Sequence, residues 1–198
     1  VSMGMTVPIS RLPRKWEKVA VFLLMIGFVT WSAVLPVLVP ALIKNHLSNL
    51  TTRFDKNGIC RQTTDYTCGP AAAVTALGKL GLPAQEGEIA ILSHTSPVAG
   101  TLPSLLCSAL QNRYGDEGLK CEYRRFDSIE QLKKAGMTLA VVKDAFLLDH
   151  CLVVLDVLDH SIAVADPVTG EEFIPFEKFK KMWRFSGIVL ERNPLQNI

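Results

Sequence analysis

Cys68 opens the stretch Cys-Gly-Pro-Ala-Ala-Ala73, and it is the first residue whose type and setting point to chemistry. Ala71 to Leu80 is rich in helix formers and Gly81-Leu82-Pro83 stops it, so the sequence predicts a helix with the thiol at its first turn. Pro70 suits a first helical position, where its missing N–H has no helical partner to lose. A cysteine at that end faces unpaired backbone N–H groups and the positive end of the helix dipole, which favour thiolate over thiol. Six residues upstream, Gln62 carries a neutral amide donor. A nucleophile beside a neutral donor is what acyl transfer through an oxyanion needs. Free cysteine is also among the most buried residue types. Taken alone, then, Cys68 reads as a core thiol, and the rest of the chain must supply a base.

Four histidines are available: His46, His94, His150 and His160. His46 abuts an apolar run, His94 lies in a turn-rich loop and His160 sits in a predicted hairpin turn. His150 opens an apolar strand, where an imidazole is costly unless its ring nitrogens find partners. Asp166 ends the strand segment that begins at Ser161. If the strands from His150 and Ser161 pair as a hairpin, a carboxylate at Asp166 shares a sheet edge with His150 and can orient its ring. Asp-Pro is also a common turn opener. The candidate set of Cys68, His150, Asp166 and Gln62 is persuasive only jointly.

The elements that would position this set follow in order. Glu86–Leu92 reads as a short helix, and Ser93–Gly100 as a loop. A third helix starts near Thr101-Leu-Pro-Ser104 and is broken by Tyr114–Gly118. A strand is expected over Leu119–Arg125, then a short capped helix from Ser128 that ends at Gly136. Strands follow at Thr138–Lys143, His150–Leu158 and Ser161–Ala165, the last two joined at Asp159-His160. Asp166–Gly170 turns into Glu171–Pro175. Phe176, Phe179 and Trp183 are expected on one helix face, and Ser186–Leu190 as a closing strand. Helices first and an antiparallel sheet afterwards is an α+β arrangement with two packed lobes. The pattern leaves the strand order open.

The 198 residues have room for one domain plus an appendage, and the net charge of +2 is small with its basic residues dispersed, which gives no nucleic-acid footprint. No residue between Val19 and Ile43 is charged. That run exceeds the roughly 20 residues a bilayer core requires. It is too long for the apolar region of a signal peptide and lacks a convincing small-x-small cleavage site. The expectation is an uncleaved single-pass transmembrane helix over 19–43, kinked by Pro36 and Pro40 and in contact with the lipid bilayer. A short basic tail over 1–18 precedes it. Arg11, Arg14, Lys15 and Lys18 place the N-terminus in the cytoplasm of a bacterial inner membrane and the catalytic part outside. A polar connector is expected over 44–57, a catalytic domain over 58–192 and a C-terminal tail over 193–198.

Gln62-x5-Cys68-Gly-Pro, Asp149-His150 opening an apolar strand, and Ala165-Asp-Pro-x-x-Gly170 together resemble the papain-like bacteriocin-processing (double-glycine leader) peptidase family. The resemblance covers roughly Gly58 to Glu191. It implies a papain-like α+β fold and a cysteine peptidase acting on a peptide or protein substrate, with no cofactor and no metal. Carried over by position, it makes Cys68 the nucleophile, His150 the general base and acid, Asp166 the residue that orients His150, and Gln62 part of the oxyanion hole. The best-known members place the peptidase ahead of a transporter membrane region and an ATP-binding domain. Here a single apolar segment comes first and no Gly-x4-Gly-Lys-Ser/Thr motif appears, so no nucleotide is expected and export of the product would fall to separate machinery.

The four residues do not choose the final acyl acceptor. An acyl transferase or amide hydrolase on a nonpeptide substrate, or a weakly active peptide-binding module, remains open at this stage. Cys60, Cys107, Cys121 and Cys151 could form two disulfides in an oxidising compartment, in any of three connectivities. No Cys-x2-Cys spacing suggests zinc. Alternation puts Cys151 on the strand face opposite His150.

Overall fold

A computed structural model of the chain describes residues 15–31, 35–145 and 148–193. The terminal residues 1–14 and 194–198, which belong to the two expected tails, and residues 32–34 of the expected membrane segment lie outside the described residues.

The chain divides into two units, residues 1–39 and 40–198. In the first, helix α1 (Lys15–Val29) has no buried residue, and Phe22, Leu23 and Leu24 are exposed. A second helix, α2 (Leu35–Leu42), carries Pro40 inside it. The described residues of the kinked helix expected over 19–43 are helical in these two segments. Among the described residues no helix is long and apolar enough to cross a membrane. The 15 residues of α1 rise only about 22 Å, short of the roughly 30 Å of a hydrocarbon core. Pro40 inside α2 removes an interior hydrogen bond, the physical reason to expect a kink there.

The stretch expected as a polar connector is folded. It contains helix α3 (Lys44–Ser48), with Leu47 fully buried, and strand β1 (Arg53–Phe54), which pairs with β2 (Cys60–Arg61). Leu47 packs where helix α5 (Glu86–Leu92) passes, and the contact is so close that a Cβ on Gly87 would collide with the Leu47 carbonyl. Glycine is there because nothing larger fits.

The centre of the domain is helix α4 (Cys68–Lys79). Residues Gly69 to Leu77 are all buried, and the run of small side chains from Gly69 to Ala73 lets the helix lie against a sheet on one side and other helices on the other. Pro70 sits at the third helical position, still within the turn whose N–H groups lack helical partners. Helix α6 (Pro103–Tyr114) completes this layer and runs through a short 3-10 turn, Gly115–Glu117, into strand β3 (Leu119–Arg125). Helix α7 (Ile129–Ala135) is capped by Ser128, whose hydroxyl accepts from the Gln131 N–H. Strands β4 (Thr138–Ala145), β5 (Leu148–Val157), β6 (Ser161–Asp166) and β7 (Gly170–Pro175) follow, then helix α8 (Phe176–Met182) and strand β8 (Trp183–Arg192). Trp183, expected on the last helix, instead begins the last strand. Its indole N–H donates to the Ser186 carbonyl and its ring lies 5.4 Å from both Phe126 and Phe179.

The six larger strands form one antiparallel sheet in the order β3-β8-β4-β5-β6-β7. The last strand inserts between β3 and β4, a placement that no local pattern encodes. Both faces of the sheet are covered. Leu139, Val153, Ala165, Ile188 and Leu190 pack with α4 and α6, whereas Ala140, Leu152, Val154, Val164 and Val189 pack with α7 and α8. Two buried faces explain why β5 and β6 read as near-continuous apolar runs rather than alternating ones. The fold is α+β, helices packed on an antiparallel sheet.

Candidate active site

β5 and β6 form the expected hairpin, with Val153 opposite Ala165, so His150 near the start of one strand and Asp166 at the end of the other come to the same edge. His150 Nε2 lies 3.0 Å from Asp166 Oδ2. Asp166 divides its two oxygens between tasks. Oδ1 accepts from the Val168 N–H at 2.6 Å and the Thr169 N–H at 3.3 Å, closing its own turn, and Oδ2 is left for the imidazole. Both side chains are about 15% exposed. Such a pair is shielded from solvent yet reachable.

Helix α4 delivers Cys68 to the same place. Its thiol stands beside the imidazole on the same groove, near enough for its charge to act on the ring. With Nε2 engaged by Asp166, the ring nitrogen left for sulfur is Nδ1. Burial pulls the His150 pKa down, but its hydrogen bonds to Asp166 and Cys68 and the charges of both outweigh that and raise it to about 10. Burial raises the Asp166 pKa, but the hydrogen bond and charge of His150, with the N–H groups of Val168 and Thr169, bring it below the usual carboxylate range. The arrangement therefore favours an imidazolium flanked by carboxylate and sulfur.

Cys68 and His150 open onto a groove of about 800 Å³. One wall is the loop from Pro97 to Pro103, and the other comes from the sheet residues Leu139, Val141, Cys151 and Ile188. The loop is pinned from below by a chain of hydroxyls: Ser93 to Thr95 at 3.0 Å and Thr95 to Thr101 at 2.7 Å. Thr101 then presses on Gly69, where an added Cβ would sit 3.0 Å from the Thr101 Cβ. This wall was not foreseen as functional. The signal that could have revealed it is the glycine directly after the cysteine, a residue that permits close approach where the thiol is displayed.

Asp166 does not line the groove but stands behind the imidazole. Gln62 is not in the groove lining either, and no side-chain hydrogen bond joins it to the other three among the described residues. Its backbone N–H donates to the Pro167 carbonyl at 3.1 Å, which ties it to the turn that holds Asp166. Its side-chain oxygen is buried with no hydrogen-bond partner. Leaving such a group unsatisfied costs about 1–3 kcal/mol, a cost that calls for an explanation when a native fold retains it.

All five cysteines are free thiols. Burial, then the charge of Glu86, pushes the Cys60 thiol up to about 12. Burial, followed by the charges of Cys68 and Asp166, also raises Cys151, which packs on the core beside α4. Cys107 on α6 and Cys121 on β3 act on one another, which lowers the pKa of the first and raises that of the second. Among the described residues no group of three His, Cys, Asp or Glu side chains could hold a metal ion.

The α+β scaffold thus places a helix-borne thiol and a carboxylate-paired imidazole on one groove. Residues 56–197 match the peptidase C39 family, and the chain belongs to that family and is a cysteine peptidase. An uncharacterised protein of Methanothermobacter marburgensis is 32% identical over 134 residues, spanning 68% of this chain and 88% of that one. A second, from Methanothermobacter thermautotrophicus, is 27% identical over 143 residues, spanning 72% and 94%. The fold is similar to that of a double glycine motif protease from an AMS/PCAT transporter, solved with its leader peptide, with a TM-score of 0.59, 18% identity and coverage of 72% of this chain and 93% of that one. It is also similar to the peptidase domain of Streptococcus ComA, a bi-functional ABC transporter, with a TM-score of 0.60, 19% identity and coverage of 67% and 96%.

Proposed function

We propose that this peptidase cleaves leader segments from precursor peptides through Cys68, His150, Asp166 and Gln62. The observation that carries the reading is that Cys68 and His150 line one groove while Asp166 stands 3.0 Å behind the His150 ring. The Cys68 thiolate attacks the scissile carbonyl carbon, forming a C–S bond and a tetrahedral oxyanion. The amide of Gln62 and the backbone N–H of Cys68 donate to that oxyanion. His150 passes its proton to the leaving amine as the C–N bond breaks, then takes a proton from water as the thioester is hydrolysed. Asp166 keeps the ring turned with Nδ1 toward sulfur. In support of the leader-peptide class, family membership is joined by a fold shared with a double glycine motif protease solved with its leader peptide.

Attachment to a bilayer through residues 19–43, with the catalytic domain outside, is part of the same proposal. It rests on the uncharged run from Val19 to Ile43 and the exposed apolar side chains of α1. Fractionation of cells expressing the full chain tests it, and recovery of all the protein in the fraction free of membranes would end it.

Digestion of a peptide library that includes double-glycine leader sequences tests the substrate class. Cleavage concentrated after paired glycines is the expected result. Cleavage indifferent to that motif, or none by a protein whose Cys68 still reacts with thiol reagents, would refute the leader-peptide assignment.

A further inference from the structure

Glu86, the first residue of α5, is fully buried, and its carboxylate takes part in no salt bridge among the described residues. A carboxylate in that position must be held by N–H and O–H donors alone, and leaving it unsatisfied would be expensive. Both donors that reach it come from one residue. The Thr63 N–H donates to Oε1 at 2.8 Å and the Thr63 hydroxyl donates to Oε2 at 2.6 Å. These are short, charge-assisted bonds, stronger than their neutral counterparts. Glu86 is itself anchored, because its own N–H donates to the Thr52 hydroxyl at 2.9 Å.

Thr63 directly follows Gln62. The Gln62 N–H is bound to the Pro167 carbonyl and the Thr63 N–H to Glu86, so two consecutive peptide groups are clamped by different elements. The next residues are clamped as well: the Thr64 N–H donates to the Thr67 hydroxyl at 3.1 Å, and the Thr67 N–H to the Thr64 carbonyl at 3.2 Å, just ahead of Cys68. Fixing both flanking peptide groups fixes the backbone dihedrals of Gln62 and with them the direction of its Cα–Cβ bond. That matters because the Gln62 side-chain oxygen has no partner to hold the amide in place.

We propose that Glu86 is a positioning residue for the oxyanion hole: through Thr63 it sets the direction from which Gln62 presents its amide. The inference rests on the reading of Gln62 as an oxyanion donor and deepens it. A buried carboxylate that only stapled the fold would have no reason to spend both oxygens on the residue next to Gln62. A glutamine could keep its carbonyl oxygen on the Thr63 N–H and donate its NH2 to the Thr63 hydroxyl, so removing the clamp requires a side chain with neither group, such as leucine.

The test separates two reactions of Cys68 in the full chain. Alkylation by iodoacetamide needs the thiolate but forms no oxyanion, and acylation by a Gly-Gly p-nitrophenyl ester peptide forms one. Glu86→Leu, which removes both acceptors at similar volume, should leave the alkylation rate within about twofold and lower the acylation rate by at least tenfold, toward the roughly 100-fold loss expected for Gln62→Ala. In the Gln62→Ala background the same change should cost less than about twofold, because the donor it positions is already gone. Thr63→Val, which removes only the hydroxyl, should give the same split with a smaller fall, and it serves if Glu86→Leu does not fold. A parallel loss of alkylation and acylation in whichever variant folds, or the full loss repeated in the Gln62→Ala background, would overturn the proposal. If Gln62→Ala itself acylates at the wild-type rate, the reading beneath it fails, and this inference fails with it.

Discussion

His150 Nε2 and Asp166 Oδ2 stand 3.0 Å apart although the residues lie on different strands of a hairpin. The contact fixes which ring nitrogen faces Cys68, so one carboxylate sets both the orientation and the charge of the base.

The pair has a signature in stability. The His150 pKa rises from 6.5 to about 10 in the folded protein, so the stabilisation it contributes is complete below pH 6.5 and fades as the pH climbs toward 10. Asp166 works in the opposite sense: its folded pKa lies below 3.8, so its contribution is complete above that value and fades as the pH falls below it. Melting temperatures of the wild type and His150→Gln should therefore differ most near pH 6 and converge toward pH 10. A constant gap across that range would contradict the charged pair.

Thr75 ties two elements of the scaffold together. Its buried hydroxyl donates to the Ala71 carbonyl and accepts from the Cys60 N–H at 2.9 Å, joining α4 to β2. Thr75→Val keeps the volume but strands a buried N–H, and should cost about 1–3 kcal/mol in urea unfolding. No measurable loss would mean that the N–H finds another partner.

Gly69→Ala puts a methyl group against Thr101 beside the nucleophile. Overpacking of that kind costs about 1–3 kcal/mol. Since the strain falls on the groove wall, turnover should drop more than stability, and comparison of kcat with the unfolding midpoint checks it. Gly87→Ala is the counterpart at a residue that does not line the groove: its Cβ would meet the Leu47 backbone, which cannot swing aside, so it should unfold the domain more readily.

Much of the site could be read in the sequence because its parts lie at element boundaries. A helix start displays Cys68, a strand start holds His150, and the Asp166-Pro167 turn ends the paired strand. Each boundary is written locally in glycine, proline and apolar patterning. The insertion of β8 between β3 and β4, and the helices on both faces of the sheet, are long-range choices with no local mark. Trp183 was assigned to a helix because Phe176, Phe179 and Trp183 have helical spacing, yet its ring buries equally well from the start of a strand. The run from 19 to 43 is legible as a span from its length, its lack of charge and its basic flank, and its prolines mark where its second half should bend. Glu86 looked like an ordinary helix opener, since its partner Thr63 lies 23 positions away.

Acid-quench mass spectrometry during turnover of a Gly-Gly p-nitrophenyl ester peptide tests the central claim most directly, because acid preserves a thioester. The account predicts the acyl mass on the tryptic peptide that contains Cys68 in the wild type, and neither adduct nor hydrolysis in Cys68→Ala. An adduct on another residue, or hydrolysis undiminished in Cys68→Ala, would contradict it.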